Sequence, residues 1–361
     1  MYYFRYLILF TVMSSSLLFS KDRSRLNTYE KVDALENSVT SITQTTPLDT
    51  ITVQTTSANP IRSETPTTAS IAALFFKPSV QGSAFAVTNN REGSDLPIEG
   101  DLQEASLKWD WGVRALLAQA FNEQNFTLSG EFTYLKTHGN RAASQPLQTS
   151  VIPLKGLFTD STYFAKSTMK FKFLNLDLAL FRDYFSSKTL SVKPAVGIKT
   201  TWAEIDETTF YAHDYLVHKK YSDVIEQSKV WGIGPLGAIT TKWYFCDHVF
   251  FFGKLGTSAL YSYKRASQEN SLNGSELDYM IVSQKYHEFV PYMELNLGFT
   301  LYKVVNDAQQ CIQFSLAYES QYYWGLRRTF GLEEFNAHYR TYPLNGNVSL
   351  YGVTAALSVI F

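Results

Sequence analysis

Apolar and polar positions alternate at period two along most of the chain after residue 70. In LKWDWGVRALLAQ, Leu107, Trp109, Trp111, Val113, Ala115 and Leu117 share one face, while Lys108, Asp110, Gly112 and Arg114 share the other. FTLSGEFTYLK, TLSVKPAVGIKTTW, EFVPYMELNLGFTLY and CIQFSLAYES repeat the pattern. Period two is the signature of a β-strand, and one apolar face opposite one mixed face marks a sheet with a different solvent on each side. The pattern predicts about ten strands, at 70–88, 107–120, 126–136, 161–185, 190–202, 229–245, 249–263, 286–303, 311–324 and 347–361. Pro78 weakens the first and allows it to fall in two pieces. In the fourth, the apolar face slips from Met169 and Phe171 to Leu176, Leu178 and Leu180, which predicts a bulge near Phe173–Leu174.

The connectors alternate in length. Short ones lie near 121–125, 186–189, 246–248 and 306–310; long ones lie near 89–106, 137–160, 203–228, 264–285 and 325–346. Membrane β-barrels pair short periplasmic turns with longer outer loops and, in bacterial single chains, use an even number of strands. The fold class expected is therefore all-β, a transmembrane antiparallel up-and-down barrel over 70–361. The last stretch, YGVTAALSVIF, puts Tyr351, Val353, Leu357, Val359 and Phe361 on one apolar face. Such an ending resembles the assembly signal of bacterial outer-membrane barrels, and it closes the last strand against the first.

Composition fits this reading. The 361 residues are 15% aromatic and 18% charged, with a net charge of −1. No basic stripe interleaved with aromatics argues for a nucleic-acid partner. No run of about 18 apolar residues offers a membrane helix, so a membrane would be crossed by strands. Ahead of the strands, Arg5 and the apolar stretch Tyr6–Phe10 followed by serines predict a signal peptide over 1–20. Residues 21–69 are a Thr/Ser-rich periplasmic spacer that cannot bury a core. Within it, Tyr29, Val32, Leu35, Val39 and Ile42 recur at helical spacing, which predicts a short transient helix at 26–43.

Charge adds candidate chemistry. Alternation turns Lys108, Asp110, Arg114, Glu131, Lys166, Lys170, Lys172, Asp177, Lys193, Lys199, Lys242, Lys254, Glu294 and Glu319 toward the lumen. A cation on the lipid face would cost about 2–4 kcal/mol at the midplane. Their excess of positive charge predicts a narrow, weakly anion-favouring pore, and the competing expectation is an interior filled by salt bridges. Trp109, Trp111, Tyr134, Trp202, Trp231, Trp243, Tyr261, Tyr322 and Trp324 are expected in aromatic girdles. His138, His213, His218, His248, His287 and His338 fall in predicted loops, turns or strand ends and form no metal-ligating pair. His213–Asp214, the only adjacent candidate pair, reads as solvated. No catalytic, metal or cofactor site is expected. Cys246 and Cys311 belong to predicted periplasmic turns one hairpin apart, beyond the roughly 7 Å that an intrachain disulfide spans.

Several stretches resemble, in order, the Legionella-type major outer-membrane protein family, which has chlamydial members: ALFFKPSVQGSAFAVTN, LKWDWGVRALLAQAF, LNLDLALFRDYF, LSVKPAVGIKTTW and AYESQYYW. The resemblance implies an outer-membrane barrel with surface loops, porin-like or adhesive, and brings no catalytic residue. Expected partners are outer-membrane lipid and lipopolysaccharide, the barrel-assembly machinery, a further copy of the chain, and a host-cell surface receptor.

Overall fold

A computed structural model describes residues 66–89, 100–121, 126–144, 150–156, 162–185, 189–212, 221–246, 248–272, 275–305, 310–335 and 338–361, all within one compact unit, Thr56–Phe361. The expected signal peptide, the helix at 26–43 and most of the spacer lie outside the described residues.

Fourteen strands are present among the described residues. Ten are long: β1 (Thr67–Val80), β4 (Asp110–Phe121), β5 (Phe126–Ser144), β7 (Phe164–Arg182), β9 (Leu190–Ala212), β10 (Tyr221–Cys246), β11 (Val249–Leu272), β12 (Ser275–Val305), β13 (Gln310–Phe335) and β14 (His338–Ile360). Four are short: β2 (Ala84–Asn89), β3 (Leu102–Glu104), β6 (Ser150–Pro153) and β8 (Tyr184–Phe185). Each long strand runs antiparallel to two neighbours, and β14 pairs back onto β1 from Thr68↔Ile360 to Val80↔Val348. Thr67 and Phe361 exchange backbone hydrogen bonds of 2.8 and 2.9 Å at the end of that pair. The count exceeds the expected ten because β2, β3 and β6 form a separate three-stranded sheet and β8 adds two residues beside β9.

The pairing bears out one expectation, that the first strand is in two pieces, and corrects two others. The first predicted strand breaks after Val80: Gly82 adopts φ +78°, a left-handed turn that glycine takes without steric cost, and β2 leaves the wall for the small sheet. No bulge interrupts β7, whose register with β5 and β9 is continuous from Phe164 to Phe181. The long connectors expected at 203–228, 264–285 and 325–346 are largely strand, because β9 to β14 continue beyond the apolar band.

That band is visible on the outer face. On β12, Phe289, Met293, Leu295, Leu297, Phe299 and Leu301 are all exposed. From Phe289 to Leu301 the strand advances about 40 Å at ~3.3 Å per residue, or about 28 Å along an axis tilted ~45°, close to the ~25 Å apolar belt of outer-membrane barrels. Trp111, Trp202, Trp231, Tyr261 and Trp324 ring one rim, and Trp243 lies near the other. Short turns and both ends of the barrel chain share the Trp243 side, the side that the turn-length rule expects to face the periplasm. The strands project outward past the opposite rim.

One irregularity marks this outer extension. Pairing of β12 with β13 stops at Tyr292↔Tyr323. A register shift follows between Tyr323 and Arg327, with Gly325 at φ +65°. Beyond it, among the described residues, β12 pairs with β11 alone and β13 with β14 alone. The outer part of the β13–β14 hairpin reaches inward past β12 and β11 to β10, where the Arg328 backbone N–H donates to Ser228 Oγ (3.1 Å). The apolar core fills the barrel at this level: Phe85 and Ala86 of β2 pack in one cluster with Phe171, Phe173, Tyr211, Tyr323 and Leu326.

Candidate functional site

The inward-facing side chains are layered along the barrel axis. Nearest the periplasmic end, Lys193 pairs with Asp183 (2.6 Å), while the Lys242 ammonium stands 4.9 Å from the centre of the Phe250 ring. Next come hydroxyl pairs, Ser358–Ser70 and Thr300–Ser315, both at 2.8 Å.

An ionic layer crosses the middle. Arg114 donates to both oxygens of Glu319 at 2.7 and 2.8 Å and lies 3.3 Å from Glu131. Lys254 pairs with Glu294 at 2.9 Å, and Lys199 with Asp177 at 3.0 Å. Tyr292 ties the layer together: its hydroxyl donates to Glu294 (2.8 Å), and its ring lies 4.1 Å under the Lys199 ammonium. Gln321, Asn296 and Thr354 donate to the remaining lone pairs of Glu319. Charges in such a site are retained because each has a partner; alone, each would carry a desolvation cost of several kcal/mol. On the periplasmic side of this layer a cavity of about 160 Å³ is bounded by Ser70, Arg114, Glu131, Asn296 and Thr354.

Above the ions the lumen is filled. The strand order β3-β2-β6 builds a sheet inside the wall, tied to it by the Tyr211 hydroxyl, which donates to the Phe85 carbonyl at 2.6 Å. Just after β6, the Lys155 ammonium sits between two carboxylates, 2.7 Å from Glu207 on β9 and 2.5 Å from Glu226 on β10. Arg327, fully buried, meets the same two at 2.6 and 3.1 Å and donates to the Gly82 carbonyl at 3.1 Å. Arg327 from the bent hairpin thus holds the turn that leads into β2, and Lys155 holds the segment that follows β6, on the same two carboxylates. Burial raises the Glu207 carboxyl, but Lys155 and Arg327 outweigh it and hold it below its ordinary value of 4.5. Burial and the Glu226 and Glu207 charges push the Tyr211 hydroxyl well above its usual range, so it stays a hydrogen-bond donor.

The charged candidates divide into three groups. Arg114, Glu131, Asp177, Lys199, Lys254, Glu294 and Glu319 converge on the ionic layer, while Lys193 and Lys242 stand below it. Lys108 is exposed ahead of β4, and Asp110 accepts the Trp111 backbone N–H at the strand start. Lys166, Lys170 and Lys172 are corrected: they are exposed on the outer face of β7, because Met169, Phe171 and Phe173 take the inner one. These lysines lie beyond the apolar band, so the lipid penalty that was expected to turn them inward does not apply. Lys155, Glu207, Glu226 and Arg327 were not anticipated, since all four fall in stretches that read as loops. His138 and His287 lie inside strands rather than at their ends. Tyr351, Val353, Leu357, Val359 and Phe361 share the outer face of the last strand, with Tyr351 edge-on to Trp109 at 5.7 Å. Cys246 is exposed and Cys311 buried, and both are free thiols. Among the described residues no cluster of three or more His, Cys, Asp or Glu could hold a metal ion.

The family model of the Legionella pneumophila major outer membrane protein precursor matches residues 62–361. No curated protein matches the sequence. Among solved structures, the outer membrane protease OmpT from Escherichia coli is similar at 8% identity, over 82% of this chain and 96% of that one, with a TM-score of 0.46. A Pseudomonas aeruginosa FadL homologue is similar at 8% identity, over 82% and 90%, with a TM-score of 0.29. The outer membrane protein OprG from Pseudomonas aeruginosa gives 7%, 82%, 95% and 0.26. No residue role is carried over from these structures.

Proposed function

The chain belongs to the Legionella pneumophila major outer membrane protein family, whose place is the Gram-negative outer membrane, and from that premise we propose a barrel whose resting lumen is sealed. In this reading it acts as a structural or adhesive protein through its extended outer wall and surface connections, and it has no enzymatic role. The observation that carries the reading is the clamp of Lys155 and Arg327 on Glu207 and Glu226, which holds the inner sheet across the lumen. The ionic layer beneath supports it, since each of its cations meets a carboxylate. The anion preference loses its basis for the same reason: three of the lysines it depended on face outward, and the cations of the ionic layer are paired.

A porin-like passage of small hydrophilic solutes is the second reading. The polar cavity below the ionic layer favours it, as does a seal held by side chains that could withdraw. Single-channel recording of the refolded full chain in planar bilayers separates the two. A sealed barrel gives no steady conductance steps, and Lys155→Met, which removes the clamp's inner cation, gives frequent openings. Steady steps from the unaltered protein would overturn the sealed reading and establish the pore. For the adhesive role, host-cell surface binding should be lost when the outer connections are shortened while the barrel remains heat-modifiable.

A further inference from the structure

Just above the outer aromatic rim, on the lipid-facing side, six strands contribute one row of side chains in direct register: Lys136, Lys172, Glu204, Lys229, Arg265 and Lys285. Two residues nearer the membrane, the same strands contribute Tyr134, Leu174, Trp202, Trp231, Tyr263 and His287. The two rows are about 5 Å apart along the barrel axis, given ~3.3 Å per residue and a ~45° tilt. Five cations therefore stand on one carboxylate's worth of neutralising charge, at the level where hydrocarbon gives way to headgroups.

The pairing of like charges is the unusual feature. Lys136 faces Lys172, Lys229 faces Arg265, and Arg265 faces Lys285 across adjacent strands. Like charges directly opposite destabilise a sheet. Glu204 relieves the repulsion only locally, bonding Lys172 at 2.8 Å and Lys229 at 2.7 Å with separate oxygens. Those two lysines hold the Glu204 carboxyl below its usual range. Among the described residues, Lys136, Arg265 and Lys285 have no ion-pair partner. Between the two rows runs a groove of about 440 Å³, with Trp202 and Trp231 below and Lys172, Lys229 and Arg265 above.

We propose that this groove binds the phosphorylated headgroup of an outer-leaflet glycolipid, its phosphates against the cation row and its sugar and first acyl carbons against the aromatic row. Charge complementarity argues for a phosphate-bearing partner, and the aromatic row argues that the partner is part of the membrane rather than a free solute. The proposal rests on the outer-membrane location and on the outer rim being the one opposite the short turns. It is independent of whether the lumen conducts.

The test is native mass spectrometry of the full-length refolded protein in micelles, titrated with bisphosphorylated lipid A, with the same lipid dephosphorylated, and with inorganic phosphate. The unaltered protein should retain bisphosphorylated lipid A and release the dephosphorylated form. Lys172→Gln, Lys229→Gln and Arg265→Gln together should weaken retention about 100-fold, taking each cation near an anionic surface at its usual worth. Glu204→Gln should tighten it, because two lysines lose their internal counter-ion; that variant decides the matter should the triple one not fold. Equal retention of the two lipids, indifference to all four substitutions, displacement by equimolar inorganic phosphate, or self-association through this face without lipid would each overturn the proposal.

Discussion

Replacing Glu319 by Gln should destabilise the barrel by about 3–5 kcal/mol, and adding Arg114→Met to it should restore part of the loss. The distances set the magnitude. Arg114 and Glu319 approach to 2.7 Å, and neither is appreciably exposed. At an effective dielectric constant of about 20, unit charges that close attract by about 6 kcal/mol, which is comparable with the several kcal/mol per ion lost on leaving water. The pair therefore contributes little net stability, yet either ion alone is an uncompensated buried charge. Arg114 would retain one ion-pair partner, Glu131 at 3.3 Å, and its hydrogen bond to Thr133 Oγ1 at 3.0 Å. Glu319 would retain donors from Gln321, Asn296 and Thr354 at 2.5, 3.4 and 3.2 Å, so Arg114→Met alone should fall near the lower end of the range. Urea unfolding in micelles, followed by tryptophan fluorescence and by heat-modified mobility, gives the four corners of the cycle. A coupling of at least about 2 kcal/mol is expected. Single changes that add to within about 0.5 kcal/mol would mean that water already solvates this layer, and the sealed lumen would fall with that result.

Gly82→Ala should cost about 1–2 kcal/mol through backbone conformation alone, because an added Cβ at φ +78° meets nothing within 4 Å; faster amide exchange in β2 than in β1 would report it, and unchanged exchange would show that the turn tolerates a side chain. Lowering the pH should loosen the inner sheet only below 4.5, since the depressed Glu207 carboxyl contributes stability that is present above its ordinary value and lost as pH falls through the depressed one. Protection factors at 81–89 and 150–156 that already dropped between about pH 7 and pH 5 would refute the clamp assignment. A maleimide should label Lys285→Cys on intact cells but reach the native, exposed Cys246 only after the outer membrane is permeabilised; the opposite result would invert the barrel.

Much of the wall was legible because alternation reports on two solvents at once. Leu295, Leu297 and Phe299 against Glu294, Asn296 and Thr300 can be read directly, since lipid lies outside and a polar interior inside. The same rule placed Arg114, Glu131, Asp177, Lys199, Lys254, Glu294 and Glu319 on the inner face, and left open whether they would line water or fill the interior with salt bridges; the observed pairing is the second of these. The seal was not legible. Lys155 meets Glu207 and Glu226, and Arg327 meets the same two, across separations of 52 to 120 residues, and nothing local in any of these stretches marks a buried ion. The inner sheet was hidden for a related reason: β3 and β6 have only 3 and 4 residues, too few to show a period.

The error on β7 has a more specific origin, and its correction locates the membrane. In KFKFLNLDLAL, residues 170–180, the even positions read Lys, Lys, Leu, Leu, Leu, Leu, and the odd ones read Phe, Phe, Asn, Asp, Ala. If lipid is assumed outside throughout, the apolar face must jump sides, and a bulge is needed. If the outer solvent changes from water to lipid between Lys172 and Leu174, the strand stays regular, and the inner face passes from apolar packing against the inner sheet to the ionic layer. The observed register is the regular one. Other strands make the same exchange at the same height: Lys136 gives way to Tyr134, Lys229 to Trp231, Arg265 to Tyr263, and Lys285 to Phe289 by way of His287. No single loop or turn could impose one height on five separate strands. A planar boundary between water and lipid does so, and the row of cations standing just above it follows from the same change of solvent.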